Sequence, residues 1–429
     1  MTYAEAIDYL FNAAPLFQNI GAGAYKEGLS NTHTLDAHFG HPHRSYRTIH
    51  VGGTNGKGSV SHTLAAILQA QGFRVGLYTS PHLVDFRERI RVNGEMMSEE
   101  RVVRFVEEER AFFEPLHPSF FELTTALAFQ YFAEQQIDIA VVEVGLGGRM
   151  DCTNIIQPEL SIVTNISFDH VQFLGDTLPK IASEKAGIIK ANIPVLIGEN
   201  VNDEVKAVFA DKAAEVGTQI TFAEDEGEVL SFRSIPGQAT YETRHFGELL
   251  GALSGLCQEK NAATILTAIL LLRKAGWDIS DEAVRKGFAE VCTTTGLMGR
   301  WQVLGREPLT ICDTAHNKGG LGYIFQHLAS LPHRHLHIVF GMVNDKDITA
   351  VLQLLPRQNV SYYFTQASVQ RALPADDLLQ KAVQAGLEGI AYKDVDSALA
   401  AARQNAASDD IIYIGGSTFI VADMLKSIL

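Results

Sequence analysis

Cysteines and long apolar runs are both scarce in this chain of 429 residues. Its four cysteines are scattered without CxxC spacing, which leaves no support for a zinc site or a disulfide framework. The longest apolar run, Ala262 to Leu272, is too short to span a bilayer. The N-terminus has neither a basic segment nor an apolar core, so no secretory signal is predicted. We therefore expect a reduced, cytoplasmic protein that has no membrane partner.

Basic residues are also fewer than acidic ones. The chain has 35 lysines and arginines against 50 aspartates and glutamates, which gives a formal net charge of -15. Because nucleic-acid binding needs a basic face that neutralises phosphates, we expect no nucleic-acid partner. The hydrophobic content of 46% and the charged content of 20% are typical of a folded protein. The length exceeds that of one ordinary hydrophobic core and favours two domains.

The most informative segment is a glycine-rich turn, His50-Val-Gly-Gly-Thr-Asn-Gly-Lys-Gly-Ser59. A short buried strand at Arg47–Val51 precedes the turn, and apolar spacing predicts a helix over Ser59–Gln71. Such a turn points backbone N–H groups at phosphate oxygens, and Lys57 adds a full positive charge. The spacing is not that of a Walker A motif, because Gly58 separates the lysine from the serine. A tight turn without a ligand is the alternative, which the lysine and the hydroxyl disfavour. We predict a nucleotide site at Gly53, Thr54, Asn55, Gly56, Lys57, Gly58 and Ser59.

Strands and helices alternate along the first part of the chain, which is typical of a parallel sheet covered on both faces. We predict one α/β domain over residues 1–295, with a small antiparallel insert at about 220–246, and a smaller α/β domain over 296–429. The patterns favour strands at Ile137–Val144, Leu160–Asn165, Pro194–Gly198, Leu309–Asp313, Leu336–Gly341, Val360–Thr365 and Asp410–Gly415, and helices at Glu99–Phe113, Phe121–Gln135, Val201–Val216 and Asn261–Gly276.

Several polar side chains follow the predicted strands, where open α/β sheets bind their ligands. Ser80 and Glu143 offer the oxygen atoms that Mg²⁺ prefers as ligands. Glu143 alone could instead be a structural ion-pair partner. His170 on its own is more often a capping or core histidine. A second cation beside it needs a further anionic oxygen, for which Lys185 is the candidate position.

Two further polar groups lie at the start of the second predicted domain. Arg300 precedes its first strand, and Asp313-Thr-Ala-His316-Asn317 closes a strand. Taken alone, Asp313 is explained by a helix cap and Arg300 by a surface charge. Two domains that each contribute polar groups to one nucleotide are the stronger joint interpretation.

Together the motifs resemble the folylpolyglutamate synthase/dihydrofolate synthase family, a branch of the Mur ligases. The resemblance covers essentially the whole chain, and the ordered set of motifs is far more specific than any single one. The inserted glycine of the turn is typical of that family. The other motifs are Thr79-Ser-Pro-His-Leu83, Phe86-Arg-Glu-Arg-Ile90, Glu143-Val-Gly-Leu-Gly-Gly-Arg149 with Asp151, Thr153 and Asn154, Asn165-Ile-Ser-Phe-Asp-His170, Ser183-Glu-Lys-Ala-Gly187, Asp313-Thr-Ala-His-Asn317 and Phe340-Gly-Met-Val-Asn-Asp-Lys-Asp347.

The resemblance implies a P-loop NTPase-like N-terminal domain and a C-terminal domain of the Mur ligase type. It implies a ligase that uses ATP to phosphorylate a carboxylate, after which L-glutamate displaces the phosphate. Phosphoryl transfer needs charge neutralisation, which Lys57 and two Mg²⁺ ions would supply. Ser80, Glu143 and a P-loop hydroxyl would hold one ion. His170 would hold the second, together with Lys185 after its carbamylation by CO₂.

The resemblance also assigns the residues that bind the substrates. A folate or dihydropteroate is the implied acceptor, and which of the two is used stays open. Two small departures from the family pattern, Cys152 in place of alanine and Thr314 in place of glycine, are expected to leave activity intact. Asn261, Arg300, Asp313 and His316 would bind the nucleotide, and Leu29, Ser119, Phe121, Glu122, Met150, Asp151 and Cys152 would bind the acceptor.

Two other classes of protein share some of these features. A cell-wall Mur ligase should carry an N-terminal UDP-binding domain, and we expect too little chain for one before residue 52. A P-loop kinase would need no second domain with the motif at Asp313. We expect a monomer whose partners are small molecules.

Overall fold

The computed structural model describes residues 1–13, 28–199 and 202–428 of the chain. The chain divides into two compact units. The first comprises Met1–Arg233, Thr240–Ala252 and Gln258–Leu297, and the second comprises Ser234–Ala239, Leu253–Cys257 and Met298–Leu429. The second unit thus includes two short segments from the earlier chain, which a composition break along the sequence does not reveal.

An eight-stranded sheet lies in the first unit. Its strands are β1 (Arg47–Gly52), β2 (Val75–Tyr78), β3 (Ile90–Val92), β4 (Glu95–Met96), β5 (Ile139–Glu143), β6 (Leu160–Val163), β7 (Val195–Ile197) and β8 (Ile220–Phe222). Their order is β4-β3-β2-β5-β1-β6-β7-β8. The run from β2 to β8 in that order is parallel, whereas β3 and β4 form an antiparallel edge. The predicted α/β fold with a parallel sheet is confirmed.

Helices pack against this sheet. In the described residues of the first unit they are α1 (Tyr3–Ala13), α2 (Ser30–His38), α3 (Lys57–Ala70), α4 (Glu99–Phe113), α5 (Phe120–Glu134), α6 (Val171–Leu174), α7 (Leu178–Lys185), α8 (Asp203–Val216), α9 (Ala223–Glu226), α10 (Gln258–Lys274) and α11 (Asp281–Thr295). Tyr78, Ala140 and Val142 of the sheet share an apolar core with Phe105 of α4 and Phe129 of α5. Across the described part of the chain, no helix combines the length and the hydropathy that a bilayer span requires.

Strand β1 and helix α3 border the glycine-rich turn. β1 pairs with β5 on one side and β6 on the other, so the turn follows a central strand of the sheet. Helix α3 begins at Lys57, two residues before the predicted start at Ser59. Gly56 precedes it with a φ of 87°, a left-handed conformation that glycine adopts without strain. The turn therefore lies at the carboxyl edge of the sheet, where parallel sheets bind ligands.

A three-stranded sheet corresponds to the predicted antiparallel insert. It contains β9 (Val229–Ile235), β10 (Gln238–Thr243) and β11 (Gly247–Gly251), in the order β11-β10-β9. The prediction of an insert from about 220 is wrong at its start, because β8 pairs in parallel with β7. This short edge strand is only half-buried, so its sequence lacks the continuous apolar run of a central parallel strand.

A six-stranded sheet lies in the second unit. Its strands are β12 (Gln302–Arg306), β13 (Leu309–Cys312), β14 (Leu336–Phe340), β15 (Val360–Phe364), β16 (Gly389–Ala391) and β17 (Ile411–Gly415), in the order β12-β13-β17-β14-β15-β16. All neighbours are parallel except the antiparallel pair β12 and β13. Its helices are α12 (Lys318–Ser330), α13 (Ile348–Leu352), α14 (Ala375–Gln384), α15 (Val395–Asn405) and α16 (Thr418–Ile428).

Candidate functional site

The glycine turn, residues 53–59, is shaped by close packing at two glycines. A Cβ atom on Gly53 would lie 2.0 Å from the Thr164 hydroxyl oxygen, and one on Gly56 would lie 2.5 Å from Oδ1 of Asn261. Both glycines also have a positive φ, 133° and 87°. Any other residue at either position would clash and be strained, so the turn requires glycine twice.

Hydrogen bonds from the segment after β6 hold the glycine turn. The backbone N–H of Thr54 donates to the Asn165 carbonyl at 2.8 Å, and that of Asn55 donates to the Asn165 side chain at 3.1 Å. The Thr164 hydroxyl donates to the Asn55 carbonyl at 2.6 Å. The Asn165 amide in turn donates to Glu199 at 2.8 Å. Asn165 is therefore a site residue, although its motif was predicted to act only through His170.

Two lysines converge on one carbonyl of the glycine turn. The Nζ of Lys57 donates to the Gly53 carbonyl at 3.1 Å, and the Nζ of Lys185, at the end of α7, donates to the same oxygen at 2.9 Å. Lys185 is only 4% exposed. Burial and, next, the positive charge of Lys57 lower the pKa of Lys185 to about 7. The structure thus brings two of the predicted catalytic residues together, and it disfavours a permanent charge on Lys185.

Helix α10 places two amides against the start of α3. Asn261 faces Gly56, and its amide donates to Oε1 of Gln258 at 2.9 Å. The Gln258 amide donates to the Ser59 hydroxyl at 3.3 Å. Both amide side chains are buried. The predicted nucleotide residue Asn261 therefore lies at the glycine turn, although it comes some 200 residues later in the chain.

Ser80 and Glu143 meet at the ends of the neighbouring strands β2 and β5. The Ser80 backbone N–H donates to Oε2 of Glu143 at 3.1 Å, and Glu143 is only 4% exposed. Burial lowers the pKa of the Arg89 guanidinium to about 10, and the negative charge of Glu143 raises that pKa. The two charges therefore compensate each other. Arg89 also donates to Nδ1 of His82 at 2.8 Å. The backbone of Ser80 thus meets the Glu143 carboxylate, and both residues carry the oxygen donors that a hard cation prefers.

His170 lies at the same edge of the sheet but is more exposed. It precedes α6 with a φ of 50°, and its Nε2 lies 3.8 Å from Oδ1 of Asp169. Asp169 also acts electrostatically on Lys185. Among the described residues, no group of three or more histidine, cysteine, aspartate or glutamate side chains could hold a metal ion. Neither predicted site would contain such a group, because the first would have Glu143 beside hydroxyls and the second would have His170 beside a carbamate.

The predicted acceptor residues gather around the start of α5. Ser119 and Glu122 form a capping box, in which the Glu122 N–H donates to the serine hydroxyl at 3.2 Å and the Ser119 N–H donates to the glutamate at 2.6 Å. Both polar groups therefore also begin the helix. Asn31, two residues after Leu29, donates to Glu122 at 3.5 Å and to the Leu116 carbonyl at 3.2 Å. This ties the start of α2 to the capping box.

The Asp151 loop, residues 145–156, lies against the same helix. A Cβ atom on Gly145 would lie 2.4 Å from the Phe121 ring, so the loop follows the ring closely. Burial raises the pKa of the Cys152 thiol, and the charges of Asp151 and Glu122 raise it further. Met150 is half-buried in this loop. The structure thus brings Phe121 and Glu122 to the loop that carries Met150, Asp151 and Cys152.

In the second unit, the predicted nucleotide residues form one cluster, in which Asp313 is buried and Arg300 and His316 are half-buried. Asp313 follows β13 and accepts the N–H of Trp301 at 2.6 Å and that of Ala315 at 2.7 Å. Arg300 donates to the Thr314 hydroxyl, and Nδ1 of His316 lies 3.1 Å from the Thr314 carbonyl. Burial raises the pKa of Asp313.

Asp313 is not a helix cap. The cap of α12 is Asn317, whose side chain accepts the Gly320 N–H at 2.9 Å. Arg300 is half-buried and hydrogen-bonded, which also disfavours the alternative of a surface charge. The carboxylate is instead fixed by backbone N–H groups beside an arginine.

Two domain families define the class of this chain. The Mur ligase middle domain matches residues 51–249, which include the glycine turn and the Asp151 loop. The family described as Mur ligase, glutamate ligase domain, matches residues 299–418, which include Arg300 and Asp313. The chain therefore combines two domains of the Mur ligase class.

Similar proteins narrow this class to one family. A folylpolyglutamate synthase of Lacticaseibacillus casei is 33% identical, over 100% of this chain and 99% of its own length. A probable bifunctional folylpolyglutamate synthase/dihydropteroate synthase of Haloferax volcanii is also 33% identical, over 99% of this chain, which spans 50% of that protein. A bifunctional folylpolyglutamate synthase/dihydrofolate synthase from Yersinia pestis, complexed with AMPPNP and a Mn ion, superposes with a TM-score of 0.83 at 31% identity, covering 100% of this chain and 98% of that one. The chain belongs to the folylpolyglutamate synthase/dihydrofolate synthase family.

Proposed function

We propose that the chain is an ATP-dependent ligase that joins L-glutamate to the carboxylate of a folate or a dihydropteroate. The observation that carries the proposal is the convergence of Lys57 and Lys185 on the Gly53 carbonyl, in a chain whose relatives are named for this activity. A glycine turn with cations and a helix N-terminus fits a triphosphate. Relatives of this kind do not favour the alternatives of a cell-wall ligase or a kinase.

The reaction would proceed in two displacements. An oxygen of the acceptor carboxylate attacks the γ-phosphorus of ATP, so that an acyl phosphate forms and ADP leaves. The amine nitrogen of L-glutamate then attacks the acyl carbon, loses a proton and expels inorganic phosphate. Lys57 would neutralise charge on the phosphate oxygens during the first step. Asn261, Arg300, Asp313 and His316 would bind the nucleotide.

Ser80 and Glu143, with a hydroxyl of the glycine turn, would hold one Mg²⁺. The fit rests on the donor set, because a hydroxyl and a buried carboxylate at adjacent strand ends are hard oxygen ligands. Mg²⁺ supplies neutralisation of phosphate charge when it is bound. His170 would contribute to a second site. The Mn ion of the Yersinia relative supports a divalent cation in this family.

Lys185 would complete the second site as a carbamate. A buried lysine with a pKa of about 7 is substantially neutral at physiological pH, and only the neutral amine attacks CO₂. The nitrogen forms a bond to the carbon of CO₂ and releases a proton, which leaves an anionic carbamate. This change converts a repelled cation into two oxygen ligands for a hard cation.

The acceptor would bind at the Asp151 loop and the start of α5. We assign this role to Leu29, Ser119, Phe121, Glu122, Met150, Asp151 and Cys152. A cytoplasmic, monomeric enzyme whose partners are small molecules remains our expectation for the chain.

A steady-state assay of the purified chain tests the proposal. It would contain ATP, Mg²⁺ and labelled L-glutamate, with dihydropteroate or tetrahydrofolate supplied separately. We expect ADP release that requires both L-glutamate and at least one of the two acceptors, with label transferred to that acceptor. ADP release without L-glutamate, accompanied by a stable phosphorylated acceptor, would instead identify a kinase.

A further inference from the structure

A single buried carboxylate organises the Asp151 loop. Oδ2 of Asp151 accepts the Leu146 N–H at 2.8 Å, and Oδ1 accepts the Thr153 N–H at 3.0 Å. Asp151 is buried and lies between Met150 and Cys152. The positions of these two neighbours therefore depend on what holds the carboxylate in place.

The Thr153 hydroxyl connects this carboxylate to strand β1. The hydroxyl donates to Oδ1 of Asp151, and the Thr153 hydroxyl oxygen itself lies 2.8 Å from Nε2 of His50. A threonine hydroxyl has one hydrogen, and here it points to the aspartate. Since the hydroxyl can then only accept from the imidazole, His50 carries its proton on Nε2.

His50 is a neutral donor in this position. It is 0% exposed, and burial, followed by the charge of Lys190, lowers the pKa of His50 to about 3. Lys190 itself donates to the Asn154 carbonyl at 2.7 Å and to the Ile156 carbonyl. The loop is therefore held from β1 by a neutral imidazole and from the other side by a lysine.

We propose that His50 is a positioning residue for the acceptor: through Thr153 it fixes Asp151 and hence the loop that carries Met150 and Cys152. This inference rests on the proposed function. His50 lies three residues before Gly53, so one strand would support both the glycine turn and the Asp151 loop. The turn has further support from Thr164 and Asn165. The Asp151 carboxylate is held by the Leu146 N–H and by Thr153, whose hydroxyl His50 supports.

His50→Leu removes the donor and keeps an apolar side chain of similar size. We expect the KM for the acceptor to rise about tenfold, as for a lost buried hydrogen bond, while the KM for ATP changes less than about twofold. Thr153→Val removes the acceptor of the same hydrogen bond. It should likewise raise the KM for the acceptor and change the KM for ATP little. His50→Gln should restore much of the acceptor affinity, because its amide N–H can also donate.

Thr48→Val is the matched control. Thr48 lies two residues earlier on the same face of β1, is 2% exposed, and its hydroxyl makes no hydrogen bond. This variant should leave both KM values unchanged. The double variant His50→Leu/Thr153→Val should be no worse than Thr153→Val alone, since His50 acts on Asp151 only through the Thr153 hydroxyl.

The outcomes separate this inference from the proposed function. If the wild-type chain ligates no L-glutamate, the proposed function fails. If the wild type is active and His50→Leu matches Thr48→Val, or raises the KM for ATP as much as that for the acceptor, the positioning role is wrong. Loss of folding in His50→Leu leaves Thr153→Val and His50→Gln to decide by the same KM comparison.

Discussion

The glycine turn and the Asp151 loop are held by two lysines from one short segment, of which Lys185 is buried and Lys190 half-buried, and the two arrangements differ. Lys185 shares the single carbonyl of Gly53 with Lys57. Lys190 alone donates to two carbonyls, those of Asn154 and Ile156. Burial lowers the pKa of both lysines, to about 7 for Lys185 and to about 8 for Lys190.

This difference supports the proposal that Lys185 is reactive and leads us to expect a structural role for Lys190. At the turn, the positive charge of Lys57 repels a charged Lys185, and this repulsion adds to the cost of burying Lys185. Neutralisation or modification of Lys185 would remove both costs. At the Asp151 loop no other cation is among the causes that shift the pKa of Lys190, and its donors are used by the backbone. We therefore expect two lysines with similar pKa values to serve different purposes, which the number of neighbouring cations would distinguish.

Loss of Lys57 should have the largest effect. Lys57→Ala removes the charge that would face the phosphates, and we expect ligation to fall about a thousandfold or more. Initial rates of labelled product measure this loss. Lys180→Ala, at an exposed lysine that pairs with Asp176, is the control and should keep the wild-type rate. Near-normal turnover of Lys57→Ala would remove the assignment of the nucleotide to the turn.

Lys185→Ala should come next, with a loss of about a hundredfold. Because the variant lacks the proposed carbamate, added acetate should restore part of the rate by supplying a carboxylate. The measurement is the ligation rate against acetate concentration, with chloride at equal ionic strength as the control. Rescue by a small amine but not by acetate would show that the ammonium form of the lysine is the active one.

Lys190→Met should damage stability more than chemistry. Two buried carbonyls lose their donor, so we expect the free energy of unfolding to fall by about 2 kcal/mol. Denaturant unfolding measures this change, and Lys180→Met serves as the exposed control. The rate at saturating substrates should stay near that of the wild type. A loss of rate as large as that of Lys185→Ala would abolish the distinction between the two lysines.

The last prediction concerns the pH dependence of stability. The pKa of Lys185 is about 7 in the folded chain and 10.5 in its ordinary state, so between these values the unfolded chain binds the additional proton. Stability relative to Lys185→Met should therefore rise with pH from about 7 to 10, by at most about 1.4 kcal/mol per pH unit. Unfolding in CO₂-free buffer measures the difference. A difference that stays constant across this range would mean that Lys185 is not buried as a free amine.

The sequence pattern was sufficient to predict β1, the turn and α3, because a buried strand, two required glycines and an apolar helix each leave a local signal. It was not sufficient for β8, where a half-buried edge strand resembles a hairpin strand. Boundaries shifted by a few residues, and β5 ends at Glu143 itself.

The residues that sequence reasoning missed are those that act across the sheet. Arg89 stands in a recognised motif, but its proximity to Glu143 depends on the pairing of β2 with β3 and β5. His50 belongs to the glycine-rich segment, yet its partner Thr153 lies 103 residues away. Neither contact has a periodicity or a spacing that a linear pattern can reveal. A buried polar residue on a central strand was the one available signal.

The hydrogen bonds of Asn165 affect how tightly the turn can bind a nucleotide. Two N–H groups of the turn are already bonded to Asn165, and Thr164 holds a third point of the backbone. The turn therefore has its shape before any ligand arrives. Preorganisation of this kind reduces the ordering entropy lost on association, so the binding energy of ATP remains available for the reaction itself.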